Sequence, residues 1–158
     1  MKTSWKVAGL AVWIAGVSAG GLAAEATYTK DIKPLFEAKC VGCHGAASPY
    51  LGDFDKDPKK FAAAMKGPRM DTYADMIFFV GWPDTGAIMR RLDDGANAGG
   101  KPGNMYQYLG TTDEERKKNL QTFKDWVGPE GWILKRWEAR GSVPAISREE
   151  LEKIRVKY

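Results

Sequence analysis

Five consecutive residues, Cys40-Val41-Gly42-Cys43-His44, constrain this chain more than any others. C-x-x-C-H is the attachment pattern of a c-type haem. Two thiols separated by two residues both reach one porphyrin and form thioether bonds to its vinyl groups. The histidine after the second cysteine then lies under the iron as its proximal ligand. The chain has two Cys and one His, and all three fall in this pentapeptide. One His permits one His-ligated haem and excludes bis-histidine ligation within the chain. A zinc site needs a fourth strong ligand, and no Cys or His remains to supply it. A thioredoxin-like redox C-x-x-C would sit in an alternating strand-helix pattern, which is not seen here, and would leave His44 unexplained.

The first residues predict export. Lys2 and Lys6 form a positive start, residues 7–19 are apolar and uncharged, and small residues follow at Ala23, Ala24 and Ala26. This is the layout of a secretory signal peptide. Ala24-Glu25-Ala26 fits an A-x-A cleavage site, so 1–26 is read as the signal and Thr27 as the mature start. The competing reading is an uncleaved membrane anchor, because residues 7–24 approach spanning length. Export agrees with the motif, since c-type haem is attached outside the cytoplasm, in bacteria in the periplasm. The mature chain then holds 22 basic and 19 acidic residues, a net charge of +3. Two haem propionates bring this near +1, too little to argue for nucleic acid or an anionic membrane surface. No stable membrane insertion is expected once the signal is removed.

The remaining chain, about 132 residues, is ordinary size for one core. Its pattern is helical. Ile32, Leu35, Phe36 and Cys40 recur as one helix face that runs into the motif, and Pro34 falls in the first turn. A Gly/Asp/Pro-rich loop spans 45–58, and short helices are predicted at 59–66, 71–80 and 84–93. Thr112-Asp113-Glu114-Glu115 reads as a capping box opening the clearest helix, with an apolar stripe of Leu120, Phe123, Trp126 and Val127 and a stop at Gly128-Pro129. A further helix is predicted at about 130–139, and Ser147 caps a short last one. No stretch alternates as a strand does.

This order of parts resembles the class I monohaem cytochromes c. A helix leads into C-x-x-C-H, loops and short helices follow, a late loop carries Met, and a C-terminal helix with an aromatic-apolar face crosses the first. The resemblance implies an all-α domain at 27–128 around one covalent haem c, with 129–158 as a C-terminal helical extension packed on it. Phe36 matches the family's aromatic on the first helix, with Trp126 or Phe123 as its partner. Ile32 stands where the family often has glycine, implying a looser or shifted crossing. The order also argues against four-helix cytochromes of the c-prime kind, which carry the motif near the C-terminus.

The distal side of the iron decides the chemistry. Five Met follow the motif: Met65, Met70, Met76, Met89 and Met105. Met76 and Met89 fall inside predicted helices, where Met is ordinarily core filler, and Met65 lies near the end of another. Met70 and Met105 fall in loops. Met105 follows Lys101-Pro102-Gly103-Asn104 and precedes the last core helix, where the class I family places its distal Met, although Met-Pro is replaced by Met-Tyr. The resemblance thus implies a cofactor site of Cys40 and Cys43 as covalent anchors, His44 as proximal and Met105 as distal iron ligand, and no catalytic residue. A saturated iron suits transfer of single electrons to and from redox partner proteins. The competing class is a small-ligand haem protein, a peroxidase-like enzyme or gas sensor, with an open distal position.

Secondary candidates are weaker. Arg90 and Arg91 are candidate propionate partners, or else a solvated face balanced by Asp93 and Asp94. Tyr106, Tyr108, Trp82 and Trp126 are candidates for lining the haem, with core packing as the competing reading. Residues 113–118 read as a water-facing first turn. Beyond Val127, Trp132, Leu134, Trp137, Val143, Pro144 and Ile146 make the tail too apolar for disorder. It is expected to fold back onto the core, the competing reading being a docking surface for a redox partner.

Overall fold

Pro34 shapes the entry to the molecule. Its nitrogen cannot donate a hydrogen bond, and the backbone just before it runs in the wider π register over Tyr28–Ile32, continuing as α1 over Lys33–Lys39. The amides of Ile32 and Lys33 reach back five residues, to the carbonyls of Thr27 and Tyr28. The expected first helix is therefore one helical run with a register change at its proline. The computed structural model describes residues 25–134 and 145–158, where the backbone is helix, turn and coil without strand. The signal segment 1–24, the predicted helix beyond residue 134, and Trp137, Val143 and Pro144 lie outside the described residues. No helix among those described is long and apolar enough to cross a membrane.

A single turn, α2 (Val41–His44), follows α1 directly. The predicted loop over 45–58 contains a short helix, α3 (Leu51–Phe54). The next three predicted helices form but are shorter: α4 (Pro58–Ala63), α5 (Tyr73–Ile77) and α6 (Ala87–Leu92). Their starts have local causes. Asp57 and Thr72 cap α4 and α5 by accepting from the amides of Lys60 and Asp75. The chain leaves α4 through Met65, which takes a left-handed φ of 54°. A 3₁₀ turn (Tyr106–Leu109) precedes α7 (Asp113–Val127).

All four stripe residues of α7 are buried, Trp126 and Val127 completely. Gly128 ends the helix at φ 88°, a conformation that favours glycine. The capping box is offset. Thr112 Oγ1 accepts from the Glu115 amide at 3.1 Å, but the Glu115 carboxylate takes the Thr111 amide at 2.7 Å rather than that of Thr112. Its other oxygen accepts from Lys39 at 2.5 Å. The first turn of α7 therefore does more than face water: it is pinned to the end of α1, one residue before Cys40.

α7 packs on the Tyr28–Ile32 turn, with Ile32 fully buried where the two meet. Phe36 is buried in the same core, but the rings beside Trp126 are Tyr28 at 6.4 Å and Tyr73 at 6.5 Å. Trp126, one of the two partners expected of Phe36, thus packs against a ring of the preceding helical turn. The register change at Pro34 places that turn, rather than α1 proper, under α7.

After α8 (Pro129–Trp132) and α9 (Arg148–Leu151), the last residues run back over this crossing. The Lys157 carbonyl accepts from the Tyr28 amide at 2.8 Å and from Trp126 Nε1 at 2.9 Å. The Tyr158 ring stacks on Tyr28, centroids 5.9 Å apart. Ile154 and Val156 pack against the core. Ser147 forms a complete capping box with Glu150.

Candidate functional site

The motif occupies a helical turn. The amides of Cys43 and His44 both bond to the Cys40 carbonyl, at 3.1 and 3.0 Å. Residues three and four apart share a helix face, so both thiols and the imidazole project from one side. Both cysteines are half-buried free thiols. Burial and the neighbouring Cys43 push the Cys40 thiol up to about 11. Gly45 turns the chain away, and a Cβ there would meet the Val41 carbonyl oxygen at 2.5 Å.

A second segment, residues 66–70, closes over the end of this turn. Lys66 Nζ donates to the Gly42 carbonyl at 3.0 Å, the Gly67 amide to Cys43 at 2.8 Å, and the Met70 amide to His44 at 2.9 Å. Ser48 Oγ also donates to Cys43, at 2.8 Å. The carbonyls that a helix end leaves without intrahelical partners are thereby satisfied.

The same segment fixes the imidazole. His44 Nδ1 lies 2.7 Å from the Pro68 carbonyl, an acceptor only, so Nδ1 carries the proton and donates it. Nε2 is then left with its lone pair free for a metal. Burial is the main influence that lowers the His44 pKa; the Pro68 bond opposes it, and the Arg91 charge lowers it further. The ring is thus held neutral, the state that binds iron. Gly67 makes this possible, because a Cβ there would fall 2.2 Å from His44 Cε1. In the sequence, Gly67-Pro68 falls between the helices predicted at 59–66 and 71–80, where it signals a break between them and nothing about the histidine.

The methionines separate by place. Met76 and Met89 are buried at 1% and 2% exposure, while Met65 is 69% exposed. Met70 and Met105 are both half-buried against the core. Met70, bonded through its amide to the His44 carbonyl, runs alongside the histidine's own backbone. Met105 stands on a different segment. Its amide donates to the Arg91 carbonyl at 2.9 Å, and Arg91 Nη1 donates to Asn104 Oδ1 at 3.0 Å. Pro102-Gly103 brings this segment against the end of α6, where a Gly103 Cβ would lie 2.3 Å from the carbonyl oxygens of Arg90 and Arg91. Gly103 is needed for close approach.

The other candidates divide between their competing readings. Arg90 bonds the Asp84 carboxylate and the Thr85 carbonyl, both at 2.7 Å. Asp93 and Asp94 do not balance the arginines. Asp93 is buried among N–H donors, and Asp94 pairs with Lys124 at 3.5 Å. Trp82 and Tyr108 are more than half exposed, and Trp126 is core.

The half-buried thiols on one face, the imidazole with Nε2 free, and a thioether on a separate loop make a donor set that fits one covalently attached haem. Residues 27–158 match the family described as PccH cytochrome c. The chain is similar to a solved structure described as the monoheme cytochrome PccH from Geobacter sulfurreducens. The two share 54% identity over 85% of this chain and 99% of that one, with a TM-score of 0.73. Comparison with curated proteins finds no match.

Proposed function

This chain belongs to the PccH cytochrome c family, with one covalently bound haem c in an all-α electron-transfer protein, and on that premise we propose that it is an exported single-electron carrier with His/Met ligation. Cys40 and Cys43 hold the haem, His44 and Met105 bind its iron, and the carrier works in the periplasm as a free shuttle or as a subunit of an oxidoreductase. When bound, the haem supplies a one-electron iron couple, which Met/His ligation raises in potential.

The chain's own residues account for the rest. Pro68 holds the proton on His44 Nδ1, which keeps Nε2 directed to the metal in one tautomer. Gly67 lets the wall stand close enough to fix the ring plane. Lys39 and Glu115 pin the residue before Cys40 to α7.

The observation that carries the reading is the Met70 amide bond to the His44 carbonyl. A residue whose backbone is bonded to the proximal histidine's backbone starts on the proximal side, which favours another methionine for the opposite face. Met76 and Met89 are enclosed in the core and Met65 faces water, which supports Met105 as the ligand. The family match also begins at residue 27, the residue expected to follow signal cleavage.

Two measurements test this on protein made in a host that attaches c-type haem. Mass spectrometry of the mature chain should show one haem retained after acid-acetone extraction. The ferrous protein should bind carbon monoxide slowly, at a rate set by release of the thioether. Prompt binding and a high-spin ferric spectrum would instead establish an open distal position and the small-ligand class.

A further inference from the structure

The segment that carries Met105 is tied to a buried carboxylate to which electron transfer assigns no task. Asp93 follows α6 and is 4% exposed. Its Oδ1 accepts from Trp132 Nε1 at 3.1 Å and Asn97 Nδ2 at 3.0 Å, and its Oδ2 from the Gly95 and Asn97 amides at 2.9 and 3.2 Å. Burial pushes this carboxyl upward, but the donors of Asn97, Trp132 and Gly95 together outweigh it and hold it below its usual value. The group is therefore a charge fixed by hydrogen bonds, which are stronger than neutral ones.

The backbone of Asp93 faces the methionine loop. Its carbonyl accepts from the Gly103 amide at 2.8 Å, and two residues earlier Arg91 accepts from the Met105 amide at 2.9 Å. The amides of Gly103 and Met105 thus cap carbonyls at the C-terminal end of α6, with Gly103 too close for any side chain. A displacement of residue 93 acts through this bond on residue 103, two residues before Met105.

The far side of the clamp comes from beyond α7. Trp132, in α8, is 4% exposed. Lys124 of α7 lies over its ring at 5.8 Å and reaches Asp94 at 3.5 Å. The corner between α7 and α8 thereby grips two successive residues, Asp93 through Trp132 and Asp94 through Lys124.

We propose that Asp93 and Trp132 are positioning residues that hold the Met105 loop in place, with Trp132 giving the segment after α7 control over the distal ligand. The second half of this rests on Met105 as that ligand; the clamp itself does not. Loosening the clamp frees the loop, weakens the sulfur–iron contact and admits external ligands, while the cysteine attachments stay intact.

The test uses the ferric and ferrous holoprotein. Trp132→Phe removes the N–H and keeps an aromatic ring. Val156→Ala thins the core on the C-terminal segment without touching Asp93, and controls for global destabilisation. In W132F, hydrogen exchange at the Gly103 and Met105 amides should quicken, relative to the slowest core amides, by about tenfold, the factor of one lost charge-assisted hydrogen bond. The near-infrared sulfur-to-iron band should weaken and carbon monoxide should bind faster. V156A should lower the melting temperature with both amides changing only in step with the core. Equal relative exchange in W132F and wild type, within about twofold, overturns the clamp. Faster exchange in W132F alongside a wild-type protein that lacks the band upholds the clamp and removes Met105 as the ligand.

Discussion

At position 67 the chain has no room for a side chain. The nearest atoms to a Cβ there belong to the His44 ring, which is itself held by Pro68. Gly67→Ala should push the imidazole off the Pro68 carbonyl and release the proton on Nδ1 to either nitrogen. The expected result is a several-fold lower haem-to-protein absorbance ratio in purified material, with the remaining holoprotein shifted in potential. A wild-type ratio and potential would contradict the wall assigned to residues 66–70. Cys40, Cys43 and His44 were legible as a set because three residue types at one spacing carry the chemistry. Gly67 was not, since its importance comes from a contact with His44 that exists only in the folded chain. Choosing Met105 over Met70 by sequence needed the family's order of parts. The structure adds a reason of its own in the Met70 amide bond to His44.

Among the elements, α7 shows what pattern reading recovers and where it stops. Its stripe and its glycine stop depend on periodicity and local backbone geometry, and both stood as expected. The capping box was read as a local exchange between Thr112 and Glu115, but Glu115 is shared with Lys39, a long-range partner that no local pattern reveals. The π turn likewise moved the ring beside Trp126 from Phe36 to Tyr28. The Lys39 bond, then the Thr111 amide, hold the Glu115 carboxyl down from its usual 4.5 to about 2. A depressed carboxyl stabilises the fold above its unfolded pKa and loses that contribution as pH falls through the folded one. The stability difference between wild type and Glu115→Gln should therefore be full at neutral pH, shrink from about pH 4.5 toward 2, and vanish below. Urea titrations at a series of pH values measure it. A difference that stays constant with pH would show that the Lys39–Glu115 bond does not form in solution.

For the whole molecule, the decisive feature is the return of the C-terminus to the N-terminus. Residues 154–158 cover the crossing of the first helix and α7, and the Lys157 carbonyl serves two donors, from Tyr28 and Trp126. The sequence suggested a tail that folds back, because its apolar residues were too many for disorder. It gave no hint of the backbone bonds, which depend on carbonyl groups every residue carries. Truncation after Lys153 should strand both donors, at about 1–3 kcal/mol each, and expose the face of Trp126. A drop of many degrees in melting temperature is expected, large against the marginal stability of a domain this size. A truncated holoprotein that melts with the full chain would contradict the covering role. The family match runs to residue 158 and so includes this segment.

The central claim is that the iron is bound by His44 and Met105, which makes the protein a carrier. The weak near-infrared sulfur-to-iron band of the ferric protein tests it most directly. The band is expected in wild type and in Met70→Ala, and should be lost in Met105→Ala together with a lower potential and rapid carbon monoxide binding. A wild-type protein without the band, or a band that survives in Met105→Ala, would contradict it.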